Sequence, residues 1–372
     1  MQKTLEFVKK NTVFVIAVIA AVITSFIVPP DREYLGYFDF KVLACLFSVL
    51  AVVCALRSMR FFYSTAQKIV KRFSSMRKCA IALVYITFIG SMFIANDMAL
   101  ITFLPLGYYV LKTTGKREYM AVLFILQNIA ANLGGMLTPF GNPQNLYLYT
   151  KFHIPTGEFM QIMFPAFILS VTLITVCCIV FFKNEPLNIV IEENVLDFKR
   201  VALYLVLFAI SVIMVFRLLP YYIGLVVIFV ILIFENPMSL KKVDYPLLGT
   251  FAAFFVFSGN MARIDAVREL FAYLLEKSTL LFSVISCQVI SNVPSAILLS
   301  QFTENYKDLL VGVNIGGVGT LISSLASLIT FREYTKHNPG KWKKYLLIFS
   351  AFNFSFLIVL TVFSIAVNRI IL

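Results

Sequence analysis

Apolar residues run along this chain in long stretches that short polar segments separate. A helix needs about 20 apolar residues to cross the hydrocarbon core of a bilayer, so the pattern predicts an all-α polytopic membrane protein. The predicted crossings are residues 12–29, 38–56, 118–146, 159–182, 201–217, 220–235, 246–260, 308–330 and 343–367. Two of them, 118–146 and 308–330, are interrupted by glycine, proline and polar residues, which predicts broken helices.

The two interrupted segments resemble each other. With a shift of 182 positions, the matched residues are Asn132 with Asn314, Gly134 with Gly316, Thr138 with Thr320, Gly141 and Asn142 with Ser323 and Ser324, and Asn145 with Ser327. Lipid supplies no hydrogen bonds, so a break at this depth must be buried in protein or line a wet cavity. Two such breaks in matching positions predict a transporter site with freed backbone groups and side-chain oxygens.

Two shorter apolar pairs, 79–111 and 280–302, each have an asparagine in the middle. Each arm is short for a full crossing, so we interpret them as re-entrant hairpins whose tips reach the middle of the bilayer. Residues 58–78 and 261–279, which precede them, mix charged and apolar positions at helical spacing. They are typical either of helices lying at the membrane interface or of ordinary solvated loops.

These segments repeat in the same order along the chain. We predict a first repeat over 1–182, a linker and connecting helix over 183–217, and a second repeat over 218–372. Asp39 and Asp244 each precede an apolar span at the start of the matching part of a repeat. The helix 201–217 has no counterpart in the first repeat and makes the number of crossings odd, which predicts two repeats of inverted topology.

Composition supports the membrane class. The chain is 60% hydrophobic and 14% charged, with a mean hydropathy of +0.88, whereas soluble domains carry about 25% charged residues. The net charge of +13 does not indicate a nucleic-acid partner, because 23 of the 32 Lys and Arg residues fall in loops predicted on one side. The charge bias predicts a multi-pass protein of the cell (cytoplasmic) membrane with a cytoplasmic N-terminus and an uncleaved first span.

The hairpin tips hold the candidate chemistry. Asp97 lies in apolar sequence, and such a carboxylate must face a cavity, bind a cation or carry a proton; the alternative is that it caps a helix beginning at Met98. In the second tip, Pro294 suits the first turn of a helix that Ser291 or Asn292 would cap. Helix N-termini that converge provide a partial positive field for an anion, and carbonyl and amide oxygens nearby suit Na⁺.

These motifs resemble those of the ion transporter superfamily, and within it the citrate-transporter-like and ArsB/NhaD permeases, relatives of the divalent anion:sodium symporters. The resemblance spans about residues 35–330. It implies inverted repeats, two re-entrant hairpins, and a transport domain moving on a scaffold that forms a homodimer. The Ser-Asn-Thr hairpin motifs of the symporters correspond here to Ala95-Asn96-Asp97 and Ser291-Asn292-Val293. Asp97 resembles the acid of the ArsB/NhaD group.

We therefore predict a secondary transporter, not an enzyme, that moves a small anion across the lipid bilayer by alternating access, coupled to H⁺ or Na⁺. The anion would be a carboxylate such as citrate, or an inorganic oxyanion. Arsenite efflux and Na⁺/H⁺ antiport on the same fold are the alternatives. No cofactor is predicted beyond Na⁺ as a coupling ion. The predicted substrate-binding residues are Asn96, Asp97, Asn142, Ser291, Asn292, Ser323 and Ser324. The predicted coupling-ion residues are Asp97, Asn132, Gly134, Thr138, Gly141, Asn145, Asn314, Gly316 and Thr320.

Overall fold

The structure, a computed structural model, describes residues 11–187 and 196–371, and within these ranges nearly every element is helical. The helices are α1 (Thr12–Ile27), α2 (Tyr34–Tyr37), α3 (Phe40–Ser58), α4 (Phe61–Val70), α5 (Met76–Ile94), α6 (Asn96–Thr113), α7 (Met120–Gly134), α8 (Pro143–Lys151), α9 (Thr156–Phe181), α10 (Phe198–Val215), α11 (Tyr221–Glu235), α12 (Pro237–Lys241), α13 (Tyr245–Ala262), α14 (Asp265–Ile290), α15 (Asn292–Leu299), α16 (Tyr306–Ile315), α17 (Leu325–His337) and α18 (Trp342–Ile371). Short 3₁₀ turns, Arg117–Tyr119 and Gly135–Leu137, flank α7.

Eight described helical segments are long and apolar enough to cross a membrane. They are α3, α5, α7 with its flanking turns, α9, α10, α13, α14 and α18. The prediction of an all-α polytopic membrane protein is confirmed. By length, α5 with 19 residues and α14 with 26 residues suffice to cross, so the assignment of re-entrant hairpins stays a prediction, as does the inverted topology.

The two aspartates that mark the predicted repeats begin their helices in the same way. Asp39 accepts a hydrogen bond from the backbone N–H of Val42 at 2.9 Å, three residues into α3. Asp244 accepts one from the N–H of Leu247 at 3.0 Å, three residues into α13. Each carboxylate satisfies one of the orphan N–H groups at a helix start, a contact that stabilises by about 1 kcal/mol.

The predicted breaks are present, with different boundaries. The second halves of the broken helices run on to Lys151 and His337, beyond the predicted ends at 146 and 330. The first arm of the second hairpin begins at Asp265 instead of residue 280. It bends at Ser278, whose φ of −168° and ψ of 98° are not helical, so the predicted interfacial helix 261–279 and the hairpin arm form one bent element. Helix α4 lies within the other predicted interfacial segment, 58–78.

The helices pack into two groups. Helices α1 and α13 pack along each other, and α3 packs against α10, α11 and α12. In the second group α5, α6 and α7 pack together, as do α14, α15 and α16; α17 packs against α6 and α7, and α8 packs against α15 and α16. In the segment containing α7, 83% of the residues of its 18-residue apolar stretch are buried in the protein, whereas in α9 the share is 22%. Helix α7 therefore lies at the centre. Each group takes helices from both predicted repeats.

The predicted division into 1–182, 183–217 and 218–372 stays a prediction. Residues 1–10, with the basic start on which the predicted orientation partly rests, and residues 188–195 of the linker lie outside the described residues. The described start of the linker is tied to α5, since Met76 N–H donates to the Glu185 carbonyl at 2.8 Å and Leu187 N–H donates to the Ser74 carbonyl at 2.8 Å. Lys116 pairs with the Glu185 carboxylate, and its ammonium group lowers the pKa of Glu185.

Candidate functional site

The first hairpin tip is a one-residue break between α5 and α6. Ala95 has φ 62° and ψ 152°, a conformation that is essentially restricted to glycine and costs about 1–3 kcal/mol for other residues. Asn96 then begins α6, and its side-chain oxygen accepts from the Asp97 N–H at 2.9 Å. The alternative in which Asp97 caps a helix beginning at Met98 is therefore wrong: the helix begins two residues earlier, and Asn96 satisfies the N–H of Asp97.

The second tip has the same geometry. Ser291 has φ 77° and ψ 158°, and the Asn292 side-chain oxygen accepts from the Val293 N–H at 2.9 Å. Of the two predicted caps, Asn292 makes the bond to the first turn, whereas Ser291 donates from its hydroxyl to the Ser323 carbonyl at 3.3 Å. The Asn292 N–H also donates to the Ser323 carbonyl, at 2.9 Å. Strain of this kind is found mainly at functional sites, where surrounding structure holds it.

Each tip is anchored to its own broken helix through matched residues. The Thr138 hydroxyl donates to the carbonyl of Met92 at 2.8 Å, and the Thr320 hydroxyl donates to the carbonyl of Gln288 at 3.1 Å. Met92 precedes Asn96 by four residues, and Gln288 precedes Asn292 by four. Thr138 and Thr320, predicted as coupling-ion residues, therefore also fix the hairpins, and both are half-buried.

The predicted glycines allow close approach at equivalent places. A Cβ atom on Gly134 would lie 2.6 Å from the Ser91 hydroxyl oxygen, and one on Gly316 would lie 2.9 Å from the Cys287 sulfur. Ser91 and Cys287 each precede the tip asparagine by five residues. A Cβ on Gly141 would lie 2.4 Å from the Gly135 carbonyl oxygen. These positions thus need glycine because backbone or side-chain atoms leave no room for a Cβ.

Hydrogen bonds also join the two broken helices to each other and to the first tip. The Asn96 amide donates to the Asn132 side-chain oxygen at 3.1 Å. The Asn314 amide donates to the Asn145 side-chain oxygen at 2.6 Å, and the Gln144 amide donates to the Asn314 side-chain oxygen at 3.5 Å. The structure therefore brings together Asn145 and Asn314, two residues that the matched motifs predicted, from positions 169 residues apart in the chain.

The other predicted side chains satisfy carbonyls that the breaks set free. The Asn145 amide donates to the carbonyls of Gly135, Met136 and Thr138 at 3.1–3.3 Å. Ser323 donates to the Gly317 and Thr320 carbonyls at 2.9 and 2.8 Å. The Ser324 hydroxyl oxygen accepts from the Ser327 N–H at 3.3 Å, which caps α17. Asn145, Ser323 and Ser324 are thus buried and engaged within the protein.

A cavity of about 220 Å³ lies between the two tips. Four predicted residues line it: Asn96, Asp97, Ser291 and Asn292. Its wall also includes polar residues that sequence reasoning did not assign to the site: Gln144 of α8, Asp244 at the start of α13, Thr250 of α13 and Arg332 of α17. The cavity therefore combines two carboxylates and one guanidinium with the tip amides. Apolar side chains, Leu247, Leu325, Leu328 and Ile329, complete its wall.

Two residues that line this cavity, Asp97 and Gln144, each have an oxygen atom without a hydrogen-bond donor within the described part of the chain. These atoms, Asp97 Oδ1 and Gln144 Oε1, are inaccessible to solvent. The same holds for Oδ1 of Asn142, which precedes the lining residue Pro143 and whose amide donates to the Asn132 carbonyl at 3.3 Å. Buried acceptors without donors are costly. Carboxylate and amide oxygens of this kind are suited to a hard cation, or to a protonated or hydrogen-bonding group of a substrate.

The sequence of this chain is similar to a known protein family and to individual membrane proteins. The model of a family described as "Citrate transporter" matches residues 4–306. An uncharacterized transporter of Methanocaldococcus jannaschii is 31% identical over 295 residues, which cover 79% of this chain and 81% of that protein. The inner membrane protein YbiR of Escherichia coli is 26% identical over 332 residues, which cover 86% of this chain and 87% of that protein.

These matches agree with the predicted resemblance, and the family match over residues 4–306 includes both tips and the first break. A membrane-spanning, all-helical chain with a polar cavity at the junction of two broken helices is also what a transporter requires. They therefore favour a membrane transporter over an enzyme. The chain belongs to the citrate transporter family of multi-pass membrane transporters.

Proposed function

We propose that this protein is a secondary active transporter that moves a small anion by alternating access, coupled to H⁺ or Na⁺. The observation that carries the proposal is the cavity between the two tips, which Asp97, Asp244 and Arg332 line together. Arg332 supplies a guanidinium for a carboxylate or an oxyanion. The two carboxylates favour a cation or a proton in the same space. A site with both charges binds anion and cation better together than singly, which is the thermodynamic basis of coupling.

The size and polarity of the cavity support a small solute. Its volume of about 220 Å³ is below the roughly 300–1,000 Å³ of pockets for drug-sized ligands. The Asn292 side-chain amide, whose oxygen caps α15, supplies a donor for the anion. A carboxylate such as citrate and an inorganic oxyanion both match this set of groups.

The coupling ion is assigned to the oxygen-rich side of the cavity. Asp97 Oδ1, Asn142 Oδ1 and Gln144 Oε1 lack donors in the described chain. When a proton or Na⁺ binds Asp97, it removes the repulsion between this carboxylate and a substrate anion. The carbonyls and hydroxyls of Thr138 and Thr320 would contribute further oxygen atoms at the two breaks.

The orientation follows from charge. Lys and Arg residues concentrate in loops predicted on the cytoplasmic side. Two of these predicted loops, 236–245 and 331–344, contain the cavity residues Asp244 and Arg332. We infer a protein of the cytoplasmic membrane with a cytoplasmic N-terminus, whose cavity opens towards the cytoplasm. A homodimer is the assembly that the family resemblance implies.

Na⁺/H⁺ antiport is the competing function, and arsenite efflux on the same fold is the other alternative. The two carboxylates, with the amide oxygens that lack donors in the described chain, favour antiport because they suit cations alone. Arg332 favours anion transport, because a guanidinium in the wall repels a lone cation. Uptake by proteoliposomes separates these functions. Citrate, arsenate, phosphate and arsenite are offered under imposed Na⁺ and H⁺ gradients.

We expect gradient-driven, saturable uptake of a carboxylate or oxyanion by the unmodified protein. Asp97→Asn should lose the gradient dependence, whereas the matched control Asp265→Asn should retain it, because Asp265 is exposed at the start of α14 and pairs with Arg268. Proton movement that depends on Na⁺ without any anion would instead establish the antiporter. Arsenite flux alone would establish the efflux permease.

A further inference from the structure

A second charged cavity lies away from the tips, where α3 leads into α4. Its volume is about 350 Å³. Its lining residues are Arg57, Arg60, Phe62, Tyr63, Ile101, Thr102 and Pro105. Two positive side chains from the α3–α4 connection therefore face the second arm of the first hairpin, α6. This cavity shares no lining residue with the transport site proposed above.

The two arginines have no counter-charge in the described part of the chain. No carboxylate there lies within ion-pair distance of Arg57 or Arg60. The nearest polar contact of Arg57 is a weak one, from its Nη1 to the sulfur of Met98 at 3.7 Å. Two guanidinium groups held on one cavity without an anion are each a planar set of donors suited to phosphate.

The cavity lies at the edge of the hydrocarbon layer. Arg57 is the penultimate residue of the 19-residue apolar helix α3, so it lies at one end of a membrane span. Pro105 follows the tip residue Asn96 by nine residues, which corresponds to roughly 14 Å along a helix. That is about half the thickness of a 30 Å hydrocarbon core. If the tip lies at mid-membrane, the Pro105 end of the cavity lies at the level of lipid headgroups, and the Arg57 side chain reaches from the end of α3 back towards Met98.

The lining of the cavity is both polar and apolar. Polar groups come from Arg57, Arg60, Tyr63 and Thr102, and apolar side chains from Phe62, Ile101 and Pro105. Helix α4 starts within this wall, and its N-cap residue Arg60 makes no side-chain cap, so the helix dipole adds positive potential. Free phosphate would use only the polar groups; a phospholipid would also place its glycerol and acyl carbons on the apolar side chains.

We propose that this cavity binds a phosphate group, and that the group belongs to an anionic phospholipid of the surrounding leaflet. Basic pockets beside membrane helices recognise such headgroups. The lipid would bridge the interfacial helix α4 and the hairpin arm α6, which carries Asn96 and Asp97 at its far end. Occupancy would therefore hold the hairpin against the rest of the protein.

The test measures thermal unfolding of delipidated protein in a neutral detergent. Phosphatidylglycerol, phosphatidylcholine and inorganic phosphate are added separately. A ligand raises the unfolding midpoint only by binding the folded form. We expect phosphatidylglycerol to raise it by several degrees, with little effect from phosphatidylcholine. The double variant Arg57→Gln/Arg60→Gln should lose this shift. Arg72→Gln, which removes an exposed arginine just after α4, should keep it.

Each other outcome counts against the proposal. An equal shift with phosphatidylcholine, whose phosphate is balanced by a positive charge, would show that the site does not select an anionic lipid. A shift that survives in the double variant would show that the arginines do not form the site. Equal loss in Arg72→Gln would reduce the effect to general surface charge. An equal, arginine-dependent shift with inorganic phosphate would assign the site to the free ion instead of the lipid. If the double variant fails to fold, Arg57→Lys/Arg60→Lys retains charge without the fork geometry and should bind phosphatidylglycerol about tenfold more weakly.

Discussion

Gly134, the last residue of α7, gives the sharpest test of how the hairpin is seated on the broken helix. A Cβ atom at this position would lie 2.1 Å from the Phe88 carbonyl oxygen of α5. Carbon–oxygen contacts of this kind are normally about 3.3–3.6 Å, so Gly134→Ala requires α5 and α7 to separate by roughly 1.2 Å. Both partners are backbone elements, so neither can turn aside as a flexible side chain would.

The cost has two parts. Overpacking of a close contact costs about 1–3 kcal/mol. The same separation would stretch the 3.1 Å bond between Asn96 and Asn132 past the roughly 3.5 Å at which a hydrogen bond is lost, and an unsatisfied buried amide costs about 1–3 kcal/mol more. We therefore expect Gly134→Ala to destabilise the protein by about 2–6 kcal/mol.

The assay is the unfolding midpoint of purified protein in detergent at a fixed heating rate, together with uptake in proteoliposomes. Chains somewhat shorter than this one lose about 2–4 °C per kcal/mol, so the midpoint should fall by at least about 4 °C, and uptake should be lost. The control is Gly157→Ala in α9, where an added Cβ meets nothing within 4 Å and alanine favours the helix. If Gly134→Ala unfolded at the same temperature as this control, the close seating of α5 on α7 would be refuted.

Three further predictions follow from other parts of the structure. Asp244→Asn keeps the cap of α13, because asparagine caps as well as aspartate; the unfolding midpoint should be unchanged while the concentration of coupling ion for half-maximal uptake shifts, and an unchanged ion dependence would remove Asp244 from the coupling site. Ala95→Gly relieves a backbone strain of about 1–3 kcal/mol against an entropic cost of about 0.4–1 kcal/mol, so thermal unfolding should show a stabilised protein; a lower midpoint would contradict the strained tip. Lys116 lowers the pKa of Glu185 from its usual 4.5, so this ion pair stabilises the protein above about pH 4.5 and ceases to do so as the pH falls through the lowered pKa. Thermal unfolding midpoints measured from pH 7 to 3.5 should therefore fall less towards acid pH in Glu185→Gln than in the unmodified protein.

Much of the site could be predicted because it is duplicated. Asn96 and Asn292 were identified from two short apolar pairs, each with one asparagine, and both lie at helix breaks on the cavity. Asn132 and Asn314 were identified from their matched glycine motifs, and each lies near the end of the first half of its broken helix. When a pattern occurs twice, each copy supports the interpretation of the other, whereas a single polar residue has no such support.

The residues that were missed are those without a repeated partner. The position matched to Gln144 is Ala326, so the motif comparison gave Gln144 no weight. Asp244 was recognised only as the start of a span, and Arg332 was not singled out. Their approach to the tips depends on how α13 and α17 pack in three dimensions, and no local pattern records that packing.

Helix boundaries were missed for a related reason. The second halves of the broken helices continue past the apolar stretch to Lys151 and His337, because a helix that leaves the membrane can continue through polar residues. The bend at Ser278 joins two segments that hydropathy alone treats as separate. Hydropathy marks where lipid ends and gives no direct sign of where the helix ends.

The short bond between Asn145 and Asn314 limits how this molecule can change shape. It joins the second half of one broken helix to the first half of the other, and both side chains are fully enclosed. A rearrangement that parted the two halves of the chain would leave two amides unpaired in the interior, at a cost of several kcal/mol. Sliding the joined pair as one piece past α1 and α13 leaves this bond intact. Asp244 would then stay with α13, and Asp97 would move away from it each time the joined pair slides.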